Sequence, residues 1–300
     1  MKALVGAYRR EARRRINGMN WTIALVVITN GLCGPQMKWM AQGNRALDAG
    51  NPSQAAAAFA CGLDLRLRTG APAEELLHLR VMLATALLEA GQDRQAEAAL
   101  QKAGESSALV AGGLARAELL NVWSALHLKR GQLSAAEEEL RHAWQTAAQS
   151  PEAGDLRPTV LHNLAAVEMR TGRYTEALGR ESEAIRVWEH TLSPDHPNLI
   201  RAYASLASLE YMMGRPRQAE PAMERALASA ARTYGPTHPL LADLLESHAL
   251  ILDRLKMKKQ AQRERTHARE IRGGLANASD DLATWDIHEA VDSQVHLQTK

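Results

Sequence analysis

The residues best suited to chemistry are the histidines and carboxylates around two His-Pro pairs. His190, Asp195 and His196 lie within seven residues, and His238-Pro239 repeats His196-Pro197 at a distance of 42 residues. Such a group could hold a metal ion or pass a proton. One reaction centre, however, gains nothing from being copied at a fixed distance. Asp195 or His196 can instead satisfy free backbone donors at a helix start, and proline suits the first helical turn. The recurrence therefore gives these residues a structural job. His288-Glu289 lacks the second histidine that a zinc-protease helix needs. No Gly-rich phosphate loop follows a strand, and no serine sits in a nucleophile elbow. Glu137-Glu138-Glu139 reads as a solvated helix face. No catalytic residue, metal ligand or cofactor is expected.

The elements that carry these residues repeat. Gly172-Arg173-Tyr174-Thr175-Glu176-Ala177 is the clearest copy of a turn with alanine five residues on. It recurs as Gly50/Ala55, Gly91/Ala96, Gly131/Ala136 and Gly214/Ala219, and Lys256/Ala261 is a sixth copy without the glycine. Successive steps are 41, 40, 41, 42 and 42 residues. Seven residues before each turn stands a small residue: Gly43, Ala84, Ser124, Ala165, Ala207 or Ala249. Twelve residues after it stands Gly62, Ala103, Ala143, Ala184, Ala226 or Ala268. Phe59, Leu100, Leu140 and Met223, nine residues after their turns, fill the holes between, and Glu181 breaks that rule in the fourth copy. Each unit reads as helix, tight turn, helix, and such units must stack to bury their apolar faces. The expected fold is all-α, a right-handed α-solenoid of about six units.

Asn163-Leu164-Ala165, the Gly172 to Ala177 turn and Asp195-His196-Pro197 resemble the tetratricopeptide repeat family. Ser205-Leu206-Ala207, Gly214, Ala219-Glu220-Pro221 and His238-Pro239 repeat the pattern. The spacing is similar to the roughly 42-residue form of kinesin light chains and many bacterial proteins, against about 34 for the standard unit. The resemblance covers residues 37–272 and implies a non-enzymatic scaffold for peptides or protein partners. It also implies that the first helix of each unit lines a concave groove. The third unit then contributes Glu118, Asn121, Ala125 and Lys129, and the fourth His162, Asn163, Ala166 and Arg170. The fifth contributes Arg201, Ser205, Ser208 and Tyr211. Asn163 matches the groove asparagine of the kinesin-light-chain pattern, and Ser205 replaces it one unit later. Lys129, His162, Arg170 and Arg201 outnumber Glu118, so an extended peptide with Asp, Glu or a free carboxylate end is the expected partner.

Charge divides the chain. Residues 1–34 hold six basic residues and one acid, and the remainder holds 30 basic and 33 acidic residues. No basic stripe marks the repeats, and aromatics are 4%, which argues against nucleic acid. Two cysteines are too few for a disulfide framework, and Cys61, beside Phe59, reads as a small buried side chain. Arg9 to Arg15 followed by the apolar run Trp21–Cys33 makes residues 1–36 a signal peptide or membrane anchor, with a cytosolic helical extension as the alternative. Residues 273–300, acidic from Asp280 onward, read as a tail or cap. The rivals to a groove binder are a membrane-associated or periplasmic assembly subunit that uses its edges or convex face, and an enzyme with an unfamiliar helical site. A reporter fused after Gln36 should be exported or membrane-bound in a bacterial host. A wholly soluble cytosolic reporter contradicts that reading.

Overall fold

The computed structural model describes residues 39–107 and 113–274. The N-terminal segment 1–36, residues 37–38 and 108–112, and the tail from 275 onward lie outside the described residues. Twelve α-helices fill the described chain as six pairs. They are α1 (Trp39–Asp48) with α2 (Pro52–Arg68), α3 (Ala73–Glu89) with α4 (Asp93–Ser107), and α5 (Gly113–Lys129) with α6 (Leu133–Ala147). Then come α7 (Leu156–Arg170) with α8 (Tyr174–Thr191), α9 (Pro197–Met212) with α10 (Pro216–Tyr234), and α11 (Pro239–Arg254) with α12 (Lys258–Gly274). Between α6 and α7 the chain makes a single 3-10 turn, Pro151–Ala153, with Ala153 buried.

Each pair is closed by the same hydrogen-bonded stop. The residue at the turn donates three residues back, and the next residue donates five back. Gly172 N–H reaches Met169 O at 3.2 Å and Arg173 N–H reaches Glu168 O at 2.8 Å, and all six turns repeat this. This Schellman geometry needs a left-handed residue at the turn, which explains glycine there. The five turn glycines have φ between 70° and 78°. Lys256, at φ 64°, is the sole non-glycine with positive φ among the described residues.

Every small position inferred from the sequence is buried. The four alanines and Ser124 at the Gly43 and Ala84 register have no exposed surface, nor do the six alanines five residues after the turns. Phe59, Leu100 and Leu140 are likewise 0% exposed. The Phe59 ring occupies the place where a side chain on Gly43 would sit, and the Trp39 ring does the same at Gly62. Cys61 is buried too, but it is not a free thiol, so a plain apolar filler is an incomplete account of it.

Successive first helices touch one another: α3 with α5, α5 with α7, α7 with α9 and α9 with α11. Second helices pack on their own partner and on the next first helix instead. The first helices thus form the tighter inner layer, and the array curves around them. It curves far enough to meet itself. Arg201 Nη1 on α9 donates to Glu89 Oε1 on α3 at 3.1 Å, across 112 residues of chain. Tyr234 and His238 lie against Gly50, where an added Cβ would stand 2.9 Å from the tyrosine ring and 3.1 Å from the imidazole.

Gly214 has the same φ class, 74°, with open space around it. Alanine there should cost only the left-handed penalty of about 1–2 kcal/mol. Gly50→Ala should cost clearly more, because it also drives a methyl group into Tyr234. Chemical denaturation of the two variants checks this, and equal losses would contradict the contact between the first and fifth units.

Candidate functional site

The curved inner layer lines a partly open cavity of about 820 Å³. Its wall runs from Leu47 and Asp48 at the end of α1, through α3, α5 and α7, to Arg201 on α9 and Leu240 on α11. Trp188 on α8 and the loop residues His196 and His238 complete it. A volume of this size falls in the range of about 300–1,000 Å³ typical of ligand sites. Val81, Met82, Val122, Ala125 and Ala166 give it an apolar strip between polar groups.

Glu118, Asn121, Ala125, Lys129, His162, Asn163, Ala166, Arg170 and Arg201 all line this cavity, where the repeat register put them. Ser205, Ser208 and Tyr211 do not. Ser205 and Ser208 are buried within the layer, and Ser208 donates back to Ala204 O at 2.8 Å. Tyr211 faces Arg254, whose guanidinium carbon lies 5.5 Å from the ring centroid. The fifth helix pair is already past the cavity there, because the array has turned to meet its own start.

Most polar lining groups are engaged within the fold. Asn163 Nδ2 donates to Asn121 Oδ1 at 2.9 Å, joining α7 to α5. Lys129 Nζ pairs with Asp93 Oδ1 at 2.8 Å and reaches Leu88 O, the carbonyl at the end of α3. Arg170 donates in the same way to Leu128 O at the end of α5. These cations therefore cap the preceding unit's first helix, where unsatisfied carbonyls favour positive charge. Asp48, Glu89 and Glu118 share the wall with Lys129, Arg170 and Arg201. The positive excess expected from the first helices is thus balanced, because α1 and α3 contribute carboxylates that the register argument on units three to five left out.

His162 is the lining group with the most unusual partner. Its Nδ1 lies 2.9 Å from Oε1 of Glu181, which is completely buried, and Ser205 hydrogen-bonds the same carboxylate. Glu181 stands where other units place Phe59, Leu100, Leu140 or Met223. Burial pushes its carboxyl up from the usual range, while His162 and Ser205 pull it back down. The imidazole also packs 5.8 Å from the Trp188 ring. The result is a carboxyl-imidazole pair with one end sealed in the core and the other at the cavity wall.

The two His-Pro sites do the structural work assigned to them. Nδ1 of His196 accepts from Asn198 N–H at 3.1 Å, and Nδ1 of His238 accepts from Leu240 N–H at 3.2 Å. Pro197 and Pro239 follow at the first helical positions. Burial lowers the His196 pKa, which favours the neutral ring that such an acceptor requires. Asp195 is held by Arg232 at 2.6 Å. The acidic run at 137–139 is not simply solvated: Arg173 clasps Glu137 with two bonds of 2.8 and 3.0 Å, and His127 meets Glu139 at 3.0 Å. Tyr234, Glu89 and His78 in the wall were missed, since closure depends on contacts far apart in sequence.

Replacing Glu181 by glutamine keeps the shape and removes the titration. An acid whose folded pKa is raised loses stability as pH climbs from its unfolded value, 4.5, through the folded one. Wild type should therefore lose ground against Glu181→Gln as pH increases from about 4.5. Paired urea titrations across pH check it, and a pH-independent difference contradicts the burial of an ionisable carboxyl.

Comparison with known proteins agrees with the geometry. Residues 156–231, from α7 into α10, match the family model described as tetratricopeptide repeat. No curated protein matches the chain in sequence. Among solved structures, BtubC (BKLC) from P. vanneervenii is similar over 81% of this chain and 94% of its own, with a TM-score of 0.58 at 16% identity. A kinesin light chain candidate from Podosopora anserina, built of nearly identical TPR-like repeats, covers 68% of this chain and 98% of its own, with a TM-score of 0.51 at 20% identity. A Rap protein complexed with competence and sporulation factor covers 87% and 85%, with a TM-score of 0.56 at 13% identity. At these identities the likeness is one of fold. Residues 156–231 match tetratricopeptide repeats, and the array they belong to has the all-α solenoid fold of these structures.

Proposed function

We propose that this protein is a non-enzymatic interaction scaffold that takes a short extended segment of a partner protein into the inner cavity. The observation that carries the reading is the cavity itself, walled by one face of successive first helices, with an apolar strip flanked by amide and charged groups. A stretched peptide matches such a wall because its side chains alternate while its backbone offers regular donors and acceptors. Asn121 and Asn163 are the groups best placed to meet that backbone. Arg201 and Lys129 bracket the strip and can exchange their internal carboxylates for one on the segment. Because the wall's charges are balanced, the segment need not be strongly acidic. Its length is limited by the contact between Arg201 and Glu89, which must persist around a short segment or open for a longer one. The Rap protein, of similar fold, is complexed with a factor, which supports ligand capture by such an array. We further propose that residues 1–36 place the scaffold outside the cytoplasm or on a membrane. Among the described residues no helix is long and apolar enough to cross one.

Ala125 is half-buried on the cavity wall, away from every turn. Ala125→Trp should obstruct the apolar strip of the cavity and weaken binding of peptides selected on the wild-type array by tenfold or more, about 1.4 kcal/mol, with helix content unchanged. Titration calorimetry with those peptides checks this. Unchanged affinity would move the binding surface to the edges or the convex face.

A further inference from the structure

Away from the cavity, between the fifth and sixth units, three metal-ligating side chains converge. Glu220 and Glu224 are one turn apart on α10, so both carboxylates occupy the same helix face. A ring nitrogen of His248 on α11 and one oxygen of each glutamate lie within 4.8 Å of one another. Two glutamates alone would be a solvated acidic pair. The imidazole changes this. His248 is 6% exposed, and neither of its ring nitrogens makes a hydrogen bond. Nδ1 lies 3.4 Å from Glu264 Oε1 on α12, without hydrogen-bond geometry. An unsatisfied buried polar group is costly, and native folds rarely leave one so placed without an occupant.

We propose that Glu220, Glu224 and His248 bind a divalent first-row transition cation, of which zinc is the type. One imidazole with two carboxylates suits that class, whereas magnesium and calcium prefer oxygen alone. Tetrahedral bonds of about 2.0–2.2 Å set ligand atoms roughly 3.4 Å apart. The three groups therefore need a modest approach, which the exposed Glu224 and half-buried Glu220 can make by side-chain rotation. Glu264 lies 3.4 Å from Nδ1 of the same ring, on the side where a carboxylate commonly supports a metal-bound histidine. An ion there ties α10 to α11, the two helices joined by the loop that sets Tyr234 and His238 against Gly50.

The test uses full-length protein without an affinity tag, stripped of metal and titrated with zinc chloride by calorimetry, alongside thermal melts. One equivalent should bind and raise the melting temperature, while calcium chloride should do neither. The Glu220→Gln, Glu224→Gln double variant, altered on the helix surface, should fold normally, bind zinc at least tenfold more weakly and lose the zinc-dependent rise. Cobalt in place of zinc should give visible absorption that the variant lacks. Absence of zinc binding to the wild type would overturn the proposal and leave His248 a buried ring among carboxylates. Equal binding by wild type and variant would also overturn it, placing the zinc on other histidines.

Discussion

The structure depends on how closely its helices approach. At three fixed positions per unit the chain carries Gly, Ala or Ser, and the helix backbones meet over them. One larger residue per unit then plugs the space left between. Buried alanine contributes little apolar area, so each contact is individually weak. What it provides is proximity, which lets many atoms of the neighbouring backbone and side chains come into van der Waals range at once. Overpacking any of these positions would force helices apart, at about 1–3 kcal/mol per site. Because the inner helices also touch their counterparts in adjacent units, the same small residues set the curvature. Curvature in turn creates the cavity and brings Arg201 to Glu89.

The polar groups of the inner face serve the fold before they serve any ligand. Lys129 and Arg170 cap carbonyls of the preceding helix, and Asn163 links to Asn121. Such bonds hold side chains in place and lower the entropy that a partner would otherwise have to offset on binding. They also mean that a ligand must exchange bonds rather than simply add them. Glu181 is the exception in the core. A buried carboxyl at a position filled elsewhere by Phe59 or Leu140 is costly, and it is tolerated here because His162 and Ser205 reach it.

The repeat, its turns and its buried small positions were legible because they rest on local rules. Left-handed turns ask for glycine, and close helices ask for small side chains, each at a fixed interval. The first-helix face was legible for the same reason, which is why Asn121, His162, Asn163 and Arg170 all meet the cavity. Ser205 stands one unit on from Asn163, and Tyr211 near the end of the same helix, yet both miss the cavity, since where a groove ends depends on accumulated curvature, which no single unit encodes. Charge balance failed for a related reason: Asp48 and Glu89 belong to degenerate early units and approach Arg201 only after the array has turned. The triplet of Glu220, Glu224 and His248 was equally hidden, because only the packing of α10 on α11 brings it together.

Self-closure is therefore the central claim, and proximity between the first unit and the loop after the fifth tests it most directly. Ala49 and Thr237 are exposed neighbours of the contacting Gly50 and His238. Nitroxide labels at these two positions should show strong dipolar broadening in the dilute protein at any concentration. Spectra equal to the sum of the two singly labelled proteins would show an array that never meets itself, and the cavity would go with it.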